Sequence, residues 1–151
     1  MREIINTVLA AMVLFAVLAI PVSAKQFNQA VVEAVKDFTS NIPTTHWYQM
    51  KPEALFQKLN QGERVFLIDC RRPDEFGACH IKGALNLPLH QIADNLGQLP
   101  GDPNALIVVY CRGGTRSMFA TSALLVLGYK NVFSLSGGFM AWLDAGYPVA
   151  E

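Results

Sequence analysis

The stretch Leu106-Ile107-Val108-Val109-Tyr110-Cys111-Arg112-Gly113-Gly114-Thr115-Arg116-Ser117, running on to Gly128, decides the fold. Its first five residues are apolar, long enough for one buried parallel strand and too short for a core helix. After the glycines, Ala120, Ala123, Leu124 and Leu127 recur at helical spacing, and Gly128 stands where a left-handed C-terminal cap belongs. The pattern predicts strand, tight loop, helix, with one thiol at the first turn after the strand.

That position has chemical consequences. The free N–H groups and the positive dipole end of a helix start favour an anion. Gly113 and Gly114 let the loop curl so that several amides point at one centre. Arg112 and Arg116 add formal positive charge on either side. These influences together draw a thiol from about 8.5 towards roughly 3.5–7.5. Cys111 is therefore expected as a thiolate nucleophile in an anion-binding cradle. The alternative is a small buried hydrophobe, the usual fate of a free cysteine; the flanking arginines and glycines argue against it.

Working outward, Val65-Phe66-Leu67-Ile68 is a second buried-type strand that delivers Asp69 and Arg71 at its carboxyl end. Ala84-Leu85-Asn86-Leu87 and Val132-Phe133-Ser134-Leu135 are further strands, and His46 to Met50 a short one. Helical segments fall between them: one opened by Pro52, a turn-and-helix at Pro73 to Phe76, and a short helix using Leu89, Ile92, Ala93 and Leu96. A last helix, opened by Gly137-Gly138, carries Phe139 and Trp142. Strands alternating with helices mean an α/β domain with a mainly parallel central sheet flanked by helices. Ligands of such sheets gather beyond the carboxyl ends of the strands, where Cys111 and Asp69 both fall.

The 151-residue chain is of one-domain size, and its 12 basic residues balance 12 acidic ones. That leaves no electrostatic case for nucleic acid or an anionic membrane surface. Val8 to Val22 is nearly unbroken apolar sequence, preceded by Arg2 and followed by Ser23-Ala24 after Pro21-Val22. It is short for a membrane span and ends as a signal-peptidase site does. Residues 1–24 are thus read as a cleaved export signal, giving a periplasmic or other extracytoplasmic protein; the alternative is a membrane anchor formed by residues 4–22. Residues 25–45 are read as an accessory helix and linker, the helix using Phe27, Val31, Val35 and Phe38. Residues 46–151 form the domain proper.

At this point the chain resembles the rhodanese-like domain family, and within it the exported single-domain sulfurtransferases. The resemblance covers roughly Trp47 to Val149 and rests on three motifs in order. Asp69-Cys70-Arg71-Arg72-Pro73-Asp74-Glu75-Phe76 with His80-Ile81-Lys82-Gly83-Ala84 matches the first signature. Cys111 to Ser117 matches the active-site loop, and Ser136-Gly137-Gly138-Phe139-Met140-Ala141-Trp142 the closing signature. The resemblance implies that Cys111 carries a persulfide, taken from a small anionic donor such as thiosulfate or polysulfide. A thiol, cyanide or a redox protein would then accept the sulfur. Arg112, Gly113, Gly114, Thr115 and Arg116 would bind the donor, and Asp69 and Arg71 would brace the loop or form an ordinary structural ion pair. No cofactor and no metal is implied, and His46, His80 and His90 are too scattered to suggest a metal site.

Two positions depart from the family: Cys79 where glycine is usual, and Cys70 where valine is common. If Cys111 must stay free in an oxidising compartment, Cys70 and Cys79 are the pair left for a disulfide; independent burial is the other reading. Two further functions compete. Cell-cycle dual-specificity phosphatases share the fold implied here, so a phosphatase or arsenate-reductase use of the cysteine is conceivable. Their loops hold five residues between cysteine and arginine, whereas four, Arg112 to Thr115, stand here. The other is a non-catalytic module binding persulfides or protein thiols.

Overall fold

In the computed structural model, residues 28–151 are described. The export signal over residues 1–24, its anchor alternative over residues 4–22, and Phe27 of the accessory helix lie outside them. In chain order the elements are α1 (Gln29–Ser40), β1 (Gln49–Met50), α2 (Pro52–Asn60), β2 (Phe66–Asp69), α3 (Pro73–Ala78) and β3 (Leu85–Asn86). Two 3-10 segments, Leu89–Gln91 and Ala93–Gln98, lead to β4 (Ile107–Tyr110), α4 (Thr115–Val126), β5 (Val132–Leu135) and α5 (Gly138–Asp144).

The five strands form one parallel sheet in the order β1-β5-β4-β2-β3. β4 is central because all four of its residues are buried, and only a strand covered on both faces tolerates that many apolar side chains. Alternation along the strands then divides the core. Ile68, Cys70, Ile107, Val109, Cys111 and Val132 face one side, packed against Ala120 and Leu124 of α4. Leu67, Val108, Tyr110 and Leu135 face the other, against Leu55, Phe139 and Trp142.

α4 ends as its sequence predicts: Gly128 has φ +101°, Tyr129 N donates to Leu124 O and Gly128 N to Leu125 O. This paired closure satisfies the last free carbonyls of the helix. Its buried stripe differs from the predicted one. Ser117, Ala120, Thr121 and Leu124 are inside, while Ala123 and Leu127 face solvent. The helix is rotated so that Ser117, not an alanine or leucine, lies against the cysteine loop.

Three other segments also depart from the sequence reading. Trp47 and Tyr48 have φ of +48° and +54°, so the chain turns where a strand was expected and pairs only from Gln49. The helix expected after Pro88 is two 3-10 pieces, interrupted at Asn95 with φ −125°. On α1, Val31 and Val35 are exposed; Phe38 alone of its described apolar set turns inward, stacking on Tyr48 at 6.4 Å.

Candidate active site

Cys111 follows β4 directly and is 2 % exposed. The loop after it closes through Gly114, whose φ of +102° is open to glycine at no steric cost. Gly114 N–H lies 3.2 Å from Cys111 Sγ. The loop's carbonyls are turned the other way. Phe139 N donates to Cys111 O at 2.7 Å and Met140 N to Arg112 O at 3.0 Å, so the first amides of α5 take up oxygens that would otherwise oppose an anion. Only glycine permits this approach. At Gly138, φ +60°, a Cβ would lie 2.5 Å from Cys111 O and 2.7 Å from Arg112 O.

Ser117, buried in the first turn of α4, completes the sulfur's surroundings. Its Oγ is 2.8 Å from Gly114 O, 2.8 Å from Ser134 Oγ and 3.7 Å from Cys111 Sγ. One hydroxyl proton serves the carbonyl and the sulfur in turn, while Ser134 can donate to Ser117. The consequence is a Cys111 thiol drawn down to about 4: first by the hydrogen bond from Cys70, against the opposing pull of burial, then by the Ser117 amide and hydroxyl and the Gly114 amide. The shift runs in the direction expected from the sequence. Its main causes are neutral donors rather than the two arginines.

The arginines occupy unequal places. Arg112 is exposed, and its side chain makes no hydrogen bond or ion pair among the described residues. Arg116 forms a two-pronged pair with Glu75, Nη1 to Oε2 at 3.0 Å and Nη2 to Oε1 at 3.1 Å. Arg116 holds the Glu75 carboxyl down at about 2. A guanidinium so engaged offers less to an incoming anion than its sequence position suggests. Gly113, Gly114 and Thr115 line a hollow of about 360 Å³ with Gln49, Met118 and Phe119. A larger hollow, about 550 Å³, lies at the amino ends of β2 and β4 beside Arg64 and Pro100, far from any nucleophile.

Asp69 and Arg71 form a buried pair, Nη2 to Oδ2 at 2.6 Å, with Arg71 Nη2 also donating to Cys79 O at 2.6 Å. The Arg71 guanidinium lies 4.1 Å over the ring of Phe139. Because the Phe139 amide holds Cys111 O, the pair supports the loop through α5 without touching the sulfur. The structural ion pair of the second sequence reading is present.

All three cysteines are free, so of the two readings given for Cys70 and Cys79 it is the unpaired one that the structure has. The reason is sheet parity: Cys70 faces the α4 side, Cys79 packs in the cluster on the opposite side. Cys79 has φ −173°, ordinary extended backbone, so the non-glycine residue is unstrained. Sequence reasoning missed Cys70 beside Cys111, Ser117, Ser134 and Glu75. Cys70, Ser117 and Glu75 left a signal as members of the quoted motifs, though none of them as a neighbour of the sulfur; Ser134 left none. Among the described residues no three His, Cys, Asp or Glu side chains are grouped to hold a metal. His80 instead stacks on Phe76 at 3.9 Å.

Known proteins resemble this chain. A family model described as the rhodanese-like domain matches residues 51–145. A sulfurtransferase of Allochromatium vinosum is 39% identical over 101 residues, 67% of this chain and 92% of that protein. The thiosulfate sulfurtransferase GlpE of Pseudomonas putida is 35% identical over 100 residues, 66% of this chain and 87% of that protein. Among solved structures, the rhodanese-like domain of an Anabaena protein superposes with a TM-score of 0.63 at 27% identity, covering 68% of this chain and 78% of that one.

Proposed function

From the premise that this chain belongs to the rhodanese-like family and is a sulfurtransferase of that type, we propose that it moves sulfane sulfur through a persulfide on Cys111. The observation that carries this reading is the Cys111 thiol, drawn down to about 4 at the turn between β4 and α4 by donors aimed at its sulfur. The thiolate attacks the outer sulfur of a small anionic donor, thiosulfate or polysulfide. The donor's S–S bond breaks with its electron pair leaving on the departing group, sulfite in the case of thiosulfate. A thiolate, cyanide or a redox-protein thiol then attacks the bound outer sulfur, and Cys111 leaves as the thiolate it was.

Each residue has a part in this sequence. The amides of Gly113, Gly114, Thr115 and Arg116 stabilise the outer, anionic sulfur as it develops charge. Arg112, exposed at the loop, attracts the anionic donor, and Arg116 with Glu75 keeps the first turn of α4 in place. The pairing of Arg116 with Glu75 favours sulfur over phosphate, since a phosphoryl group would need that guanidinium for itself.

Intact mass after incubation with thiosulfate or polysulfide tests the reading. Reduced protein should gain one sulfur atom, located by peptide mapping at Cys111, and Cys111→Ser should gain none. Sulfur transfer retained by Cys111→Ser, or turnover of an aryl phosphate with no sulfur transfer, refutes it.

A further inference from the structure

Cys70 is a buried thiol that the transfer cycle just described does not consume. β2 and β4 pair in parallel with Ile68 opposite Val109 and Asp69 opposite Tyr110, and one step further along sets Cys70 opposite Cys111. Cys70 N donates to Tyr110 O at 2.9 Å, so the pairing continues to that step. Both side chains face the same side of the sheet, in one buried cluster, each 2 % exposed. Adjacent strands stand about 4.7–4.9 Å apart, inside the roughly 4.4–6.8 Å between Cα atoms that a disulfide spans.

Resting on the persulfide reading, we propose that Cys70 is a resolving thiol: it attacks the inner sulfur of the Cys111 persulfide, forms a Cys70–Cys111 disulfide and expels the outer sulfur as sulfide. The atoms and electrons balance without an outside oxidant. The Cys70 S–H bond and the persulfide S–S bond break, the Cys70–Cys111 S–S bond forms, and the proton leaves with the departing sulfur as HS⁻. The sulfane sulfur takes two electrons; the two cysteine sulfurs supply them. An external dithiol then reduces the disulfide and restores Cys111.

Geometry keeps this reaction inside the protein. Strand register and the shared buried cluster bring the sulfur of Cys111 within reach of Cys70. The Gly114 amide, 3.2 Å from Cys111 Sγ, is a donor beside the bond that breaks and favours negative charge on the departing sulfur. In the resting protein the reaction is held back: first the hydrogen bond to Cys111, then burial, keeps the Cys70 thiol well above the usual range. Once Cys111 carries sulfur, its negative charge moves to the outer atom and that restraint on Cys70 weakens. The protein thus has two outlets for bound sulfur, transfer when an acceptor is present and release as sulfide when none is.

The test is single-turnover loading with polysulfide, rapid removal of the donor, and no acceptor. Intact mass and released sulfide are followed in the full chain, in Cys70→Ser, which keeps a hydroxyl donor, and in Cys79→Ser. In the full chain the species heavier by one sulfur should decay to one lighter than reduced protein by two hydrogens, with equimolar sulfide and a mapped Cys70–Cys111 link. Cys79→Ser should do the same, while Cys70→Ser should retain its sulfur and release none. A full-chain persulfide that persists like that of Cys70→Ser, or a disulfide mapped to Cys79, overturns the proposal and leaves the persulfide reading standing. If the full chain yields neither persulfide, disulfide nor sulfide, it is the persulfide reading that fails.

Discussion

Ser117→Ala removes one hydroxyl from beneath the nucleophile and leaves the backbone donors in place. The hydroxyl lies 3.7 Å from Cys111 Sγ and shares its proton with Gly114 O at 2.8 Å. A hydrogen bond to a charged group contributes about 1.5–3 kcal/mol, and a shared one belongs at the bottom of that range. One pKa unit corresponds to about 1.4 kcal/mol, so the Cys111 midpoint should rise by about one unit, from about 4 to about 5. At pH 5 the thiolate would fall from about nine-tenths of the protein to about half, and at pH 7 it would be almost unchanged. Alkylation by iodoacetamide between pH 3.5 and 8, with Cys111→Ser as blank, reads that midpoint. The sign also holds for stability: a folded-state value depressed below the unfolded one stabilises the fold above about pH 8.5, and this advantage is lost as pH falls towards 4. An unchanged midpoint in Ser117→Ala would exclude the hydroxyl as a cause. A wild-type midpoint near 8 would refute the whole account of the loop.

Two further substitutions separate the loop's parts. Gly138→Ala places a methyl 2.5 Å from the immovable Cys111 carbonyl at φ +60°, and should lower stability by roughly 1–3 kcal/mol in a urea titration; Gly113→Ala, with open space around it, should leave the urea midpoint in place. Arg112→Ala removes an exposed charge with no partner among the described residues, worth about 0.2–1 kcal/mol, so KM for thiosulfate should rise about 1.4- to fivefold and become less salt-sensitive. A hundredfold loss in initial-rate assays would show instead that Arg112 is desolvated against the donor.

Strand and helix placement, the alternation of the two, and a nucleophile at the carboxyl end of β4 were legible in local pattern. Runs such as Leu106 to Tyr110 and the spacing from Ala120 to Leu124 report on burial one residue at a time. The Gly137-Gly138 pair was legible as a helix start, but not as the device that holds Cys111 O. Ser117 stood in the quoted loop without a role, because helix rotation decides which residues of α4 face inward. The arginines looked equivalent in sequence. Folding brought Glu75, 41 positions away, to one of them and no described partner to the other.

The sequence by itself determined that a parallel α/β domain would present one thiol at a helix start, since hydrophobic period, glycines and turn residues act over short stretches of chain. Only the tertiary structure decided which groups surround that thiol. Strand register is set by the packing of whole strands, and it brought Cys70, 41 positions before Cys111, to its side. Sheet parity then sent Cys79 to the opposite face, although in sequence it is much the nearer to Cys70.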